Sequence, residues 1–127
     1  MPIISKNPYT EELIETFSEH NKEEVEEILQ NAKLAFSTWK DFSFAERAKM
    51  MNSVADILEK EKENLAKIAT SEMGRKFTAG LSEIEKCILC IRFYTENAEN
   101  FLKEEKIESS AKKSVVRYEP LGPVLGV

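Results

Sequence analysis

Three long stretches of this sequence repeat apolar residues at intervals of three and four, and that spacing commits most of the chain to amphipathic helices. In the first, Val25, Ile28, Leu29, Ala32, Ala35, Phe36 and Trp39 fall on one face. Asn21 precedes it with Glu24 three residues on, the pattern of a capping box, and the helix is expected to end between Trp39 and Phe42. Ser43 and Glu46 repeat the same box and predict a second start. Its stripe runs through Phe44, Ala48, Met51, Val54, Ala55, Leu58, Leu65, Ile68 and Ala69. The charges from Glu59 to Glu63 alternate in sign, which reads as a solvated part of the same helix braced by neighbours one turn apart. Gly74 supplies the stop, because glycine adopts positive φ without a Cβ clash. The third pattern is the longest, from about Lys76 to Lys103, with Phe77, Leu81, Ile84, Ile88, Ile91, Tyr94, Ala98, Phe101 and Leu102 in line.

The two ends read differently. Asn7-Pro8-Tyr9-Thr10-Glu11-Glu12 carries turn chemistry between the apolar pairs Ile3-Ile4 and Leu13-Ile14, so a small hairpin or two irregular strands is expected there. Residues 104–113 are polar and rich in serine and lysine, and read as a connector. Ser114-Val115-Val116-Arg117-Tyr118-Glu119 then offers β-branched and aromatic residues with partial alternation, closed by Pro120, and predicts a strand. Leu121-Gly122-Pro123-Val124-Leu125-Gly126-Val127 reads as a turn followed by the opening of a buried strand. The expected fold is therefore mostly α, with a short amino-terminal β element and a carboxyl-terminal strand.

At 127 residues the chain has the length of one ordinary domain. Hydrophobic residues at 42% and charged residues at 32% are those of a water-soluble globular composition, and no apolar run is long enough to span a membrane. The amino terminus lacks the pattern of a secretory signal, so a cytoplasmic address is expected. Lysine and arginine number 18 against 23 aspartate and glutamate, and the net charge of -5 argues against a general nucleic-acid surface.

Cys87 and Cys90 are the only cysteines, in C-x-x-C spacing. Zinc requires four ligands, and His20 is the sole histidine, so no metal site is expected. A thioredoxin-like motif sits at the start of a helix after a strand, whereas these two lie inside a helical pattern. They read as small apolar fillers packed on that helix. Glu83 and Glu85 stand near Cys87 in sequence, but paired surface carboxylates on a helix are ordinary, and no catalytic role is expected of them.

Several segments resemble, in order, the aldehyde dehydrogenase superfamily. Asn7-Pro8-Tyr9-Thr10 is similar to its opening turn, Ala35-Phe36-Ser37-Thr38-Trp39 to the end of its first helix, and Ala45-Glu46-Arg47-Ala48 to the next helix start. Glu72-Met73-Gly74-Arg75 resembles a Glu-Met-Gly-Lys segment with arginine in place of lysine, which keeps the charge and changes the donor geometry. Glu85-Lys86-Cys87, Tyr94 and Glu96-Asn97-Ala98-Glu99 resemble the following helix of bacterial succinate-semialdehyde dehydrogenases, and Arg117-Tyr118-Glu119-Pro120-Leu121-Gly122 the strand and turn after it.

The resemblance implies that residues 1–127 are the first part of an α/β cofactor-binding domain, with 114–120 in the strand layer through which subunits associate. Val115, Val116, Arg117, Tyr118 and Glu119 are the subunit-interface candidates. It also implies a continuation into a Pro-Trp-Asn-Phe-Pro segment, with the catalytic cysteine, the glutamate base and the NAD or NADP site further along. This chain is then expected to have no catalytic, cofactor-binding or metal residues of its own and to turn over nothing alone. Gly122 and Gly126 lack the third glycine and following helix of a dinucleotide fingerprint. Its partner is expected to be the remainder of the dehydrogenase or another copy of itself, as a homo-oligomer, with no nucleic acid and no membrane. The alternative is a free-standing helical module for self-association or interaction, left from a truncated dehydrogenase gene.

Overall fold

The computed structural model describes residues 2–126. β1 (Ile3–Lys6) and β2 (Leu13–Phe17) form an antiparallel hairpin, Ile3 opposite Phe17 and Lys6 opposite Leu13, with a bulge between Ser5 and Lys6. The turn is built by Asn7, whose side-chain oxygen accepts from the amides of Tyr9 and Thr10 at 2.9 and 3.1 Å. Glu11 takes positive φ (60°) to close it, a conformation uncommon for a non-glycine residue.

Both capping boxes are present. α1 (Lys22–Trp39) starts with the Glu24 amide donating to Asn21 Oδ1 and the Asn21 amide donating to Glu24 Oε2, each at 2.8 Å. α2 (Phe44–Met73) starts with the equivalent exchange between Ser43 and Glu46, and it continues unbroken through the alternating charges. Lys62 pairs there with Glu59 at 2.7 Å, one turn away. Gly74 ends α2 at φ 64°, its amide donating to the Thr70 carbonyl at 3.0 Å. A Cβ at Gly74 would stand 3.0 Å from Pro8 Cγ, so the amino-terminal turn rests against the end of α2. Ser5 Oγ fixes the hairpin further by donating to Glu72 Oε1 at 2.7 Å.

α3 (Phe77–Phe101) folds back along α2. Their direction follows from the contacts, since Asp56 meets Arg92, Lys62 meets Glu85, and Ala66 meets Gly80. Close approach is set by small residues. Ala55 and Ala66 are completely buried, and a Cβ on Gly80 would lie 3.2 Å from the Ala66 carbonyl oxygen. Ile88, 7% exposed, completes the buried hydrophobic core among the described residues. The Arg92–Asp56 pair at 2.8 Å lies on the exposed rim of this seam, where an ion pair adds at most about 1 kcal/mol.

The carboxyl-terminal part departs from the sequence reading in three ways. Glu105–Lys106, inside the expected connector, forms a strand, β3, which pairs antiparallel with β4. β4 is only Val115–Val116, so Arg117, Tyr118 and Glu119 lie outside it. The opening of a buried strand expected after the turn within residues 121–127 is absent across the described residues, and Val127 lies outside them. Leu121 is 101% exposed and Val124 88%. The physical reason is shared: a strand persists only where a neighbour satisfies its amides and carbonyls, and β3 offers two residues of ladder.

The cysteines also differ from expectation. Both are exposed rather than packed as fillers. α2 covers the face of α3 that carries Gly80 and Ile88, and Cys87 and Cys90 fall on the flank beside it. No helix among the described residues is long and apolar enough to cross a membrane.

Candidate functional site

Two features stand out, a short ribbon and an open groove. In the ribbon, Glu105 pairs with Val116 and Lys106 with Val115, and the Ile107 amide donates to the Ser114 carbonyl at 2.9 Å. Tyr118 Oη donates to Glu105 Oε1 at 2.9 Å, so one of the candidate interface residues braces the ribbon beyond the end of its ladder. That hydrogen bond, together with the nearby carboxylate charge, raises the Tyr118 phenol above its ordinary range. Lys113 Nζ lies 3.0 Å from Glu104 Oε1 and holds that carboxyl below the ordinary glutamate range, chiefly through the hydrogen bond. Arg117 and Glu119 form an exposed pair at 3.3 Å.

The structure thus brings Val116, Tyr118 and Glu105 together and leaves Arg117 with Glu119 as a separate surface pair. Among the described residues the sheet contains only β3 and β4, so each strand keeps one open edge there. Sequence reasoning missed Glu105 and Lys106. What precedes Ile107 is a run of four charged residues, Lys103 to Lys106, which shows no apolar alternation.

The groove, of about 360 Å³, lies between α2 and α3 beside the end of α1 and is lined by Trp39, Phe44, Met51, Ile91 and Tyr94 among others. Arg47 lies over the Phe44 ring, 4.6 Å from its centroid, so the one charged lining residue is spent on an aromatic face. Cys90 borders the groove, yet neither histidine nor carboxylate lines it with the thiol, and no base is in position to activate a nucleophile there. Glu83 is engaged by the Arg75 guanidinium, and Glu85 lies 3.7 Å from Lys62. These carboxylates are surface ion-pair partners. The walls of the groove suit apolar side chains.

The chain combines a helical hairpin, an amino-terminal β-hairpin seated on its end and a two-stranded ribbon after it, and the sequence pattern of the Aldehyde dehydrogenase family matches residues 2–127. This chain belongs to that family. It is 35% identical over 127 residues to a probable NADP(+) succinate-semialdehyde dehydrogenase of Synechocystis sp., and 38% identical over 130 residues to an NADP(+) succinate-semialdehyde dehydrogenase of Mycobacterium bovis. Each match covers 100% of this chain, which spans 28% of the length of either relative. The solved succinic semialdehyde dehydrogenase of Streptococcus pyogenes, in complex with NADP+, superimposes with a TM-score of 0.83 at 26% identity, over 88% of this chain and 25% of that one.

Proposed function

We propose that this chain forms the amino-terminal helical layer of an NADP-dependent dehydrogenase that oxidises succinate semialdehyde to the acid, and that it does no chemistry by itself. One observation carries the reading: likeness to succinate-semialdehyde dehydrogenases runs the whole length of a chain that, among its described residues, buries only the hydrophobic Ala55, Ala66 and Ile88. Large apolar side chains left in water on all three helices need a further body to cover them.

Aldehyde oxidation of this kind needs a thiolate, a water-activating base and a dinucleotide site held together. No dinucleotide site is proposed in this chain. Gly122 takes positive φ (115°) with open space around it, and Gly126 follows four residues on without the third glycine of a dinucleotide fingerprint. The amino-terminal ends of α1 and α2 are closed by their own Glu24 and Glu46 carboxylates, which repel an anion. No step of hydride transfer is assigned to these residues.

The chain contributes surfaces. The groove beside Trp39 receives apolar side chains from the remainder of the dehydrogenase. The open edge of β4, with Val115, Val116, Arg117, Tyr118 and Glu119 at or just after it, serves subunit association in a homo-oligomer. The cytoplasmic address belongs to the same proposal.

Complementation tests this. The purified chain is mixed with the Synechocystis relative lacking its matching amino-terminal segment, and NADP reduction by succinate semialdehyde is followed. Neither piece alone should turn over, and the mixture should bind and gain activity. Turnover by this chain alone, or no association between the two pieces, would overturn the proposal.

A further inference from the structure

Cys87 and Cys90 are free and exposed, three residues apart within the continuous helix α3. On a helix this spacing places the two side chains next to each other, with Cβ atoms about 5–6 Å apart. A disulfide needs them at about 3.5–4.5 Å. Closing one would distort α3 where Ile88, between the two cysteines, is held in the core.

A single ion between two thiolates tolerates the wider gap. With metal–sulfur bonds of about 2.3 Å, the zinc–thiolate length, two sulfurs on opposite sides of an ion stand about 4.6 Å apart. Side chains at i and i+3 lie on one face of a helix, within reach of a single shared ion. Donor number then selects the ion. Zinc takes four ligands, and among the described residues no group of three or more His, Cys, Asp or Glu side chains is placed to hold a metal. Two thiolates with nothing further suit a soft ion of low coordination number, and thiolate softness selects Cu(I).

The surroundings agree with that charge and softness. Lys86 stands one turn before Cys90 on the same face, where its ammonium offsets an anionic complex. Glu83 stands one turn before Cys87, with its charge already engaged by Arg75. Cys90 borders the apolar wall made with Ile91 and Tyr94, which favours a weakly hydrated ion.

We propose that Cys87 and Cys90 form a two-coordinate dithiolate site for a soft monovalent metal ion, Cu(I) being the first-row case, with one ion per chain. Binding releases two thiol protons to solvent and forms two copper–sulfur bonds. No electron moves, because copper arrives and remains as Cu(I).

The test is an anaerobic titration of the reduced chain with Cu(I) against a chromophoric Cu(I) chelator. One equivalent per chain should compete, with the sedimentation mass unchanged from that of the metal-free chain. Cys87→Ser and Cys90→Ser should each lose more than about 100-fold in affinity, beyond what loss of an outer-shell partner produces. Helical circular dichroism should stay unchanged, because both side chains are exposed. Failure to compete, a single serine variant with undiminished affinity, or one ion held between two chains would each overturn the site. Mild oxidation that removes two hydrogens within one chain while the helical signal is retained would overturn the geometric argument.

Discussion

The α2–α3 hairpin and α1 carry the same kind of apolar stripe and meet opposite fates. In the hairpin the stripe contains residues small enough for two backbones to close on each other, Ala55, Ala66 and Gly80, and Ile88 is buried beside them. In α1 no residue is buried, and Val25, Ile28 and Leu29 remain exposed. Amphipathic spacing and a capping box make a helix in both places. Only a partner at the right distance makes a core, because the free energy of an apolar stripe is released by contact rather than by periodicity.

The contrast breaks most visibly under truncation of one buried and one exposed aliphatic side chain. Ile88→Ala removes packing at the hairpin seam and should cost about 2–5 kcal/mol in urea unfolding. Leu29→Ala, on the uncovered stripe of α1, should stay within about 0.5 kcal/mol. Equal losses at the two positions would mean that α1 has a partner in solution.

Insertion at the seam comes next in size. Gly80→Val places a Cβ 3.2 Å from the Ala66 carbonyl oxygen, a backbone atom that cannot swing aside, and should cost about 1–3 kcal/mol. Ala32→Val on α1 should cost only the difference in helix propensity, a few tenths of a kcal/mol up to about 0.7. Chemical unfolding of the pair measures the difference, and a neutral Gly80→Val would show that the helices slide apart at little cost.

Caps separate the regions by coupling rather than by energy. Ser43→Ala should lower hairpin stability by about 1 kcal/mol, since α2 unfolds with its partner. Asn21→Ala removes the same kind of bond from α1 and should fray that helix, seen as lost amide protection near residue 24, while the urea midpoint of the hairpin holds. A shifted midpoint would join α1 to the cooperative unit.

Much of this fold was legible because its signals are local. Asn21 with Glu24, Ser43 with Glu46, and Gly74 each declare a helix boundary within four residues, and the structure places boundaries at all three. The hairpin around Asn7 was legible for the same reason. The misses depend on distant partners. Glu105 forms a strand because Val116 returns to it, Leu121 and Val124 are exposed and pair with no strand among the described residues, and the cysteines lie beside the face that α2 covers. At the candidate interface, Val115 and Val116 were legible as β-branched residues. The bond from Tyr118 to Glu105 spans thirteen positions and leaves no local trace.

The smallest expected effect is a pH dependence at the start of α2. Glu46 is held below the ordinary glutamate range first by the Ser43 hydroxyl, which donates to it at 2.7 Å, and then by the Ser43 amide at 2.8 Å. A carboxyl whose pKa is lower in the folded chain stabilises that chain above the unfolded value, about 4.3 for glutamate, and the contribution disappears as pH falls through the folded value. Ser43→Ala removes the larger cause and leaves the amide, so the acid limb of its thermal midpoint against pH should flatten without vanishing. Ser43→Gly removes the same hydroxyl at a smaller cost in cap stability and should flatten the limb equally. An acid limb unchanged in both variants would assign it to other carboxylates, with Glu104, held low by Lys113 in the ribbon, the next to replace.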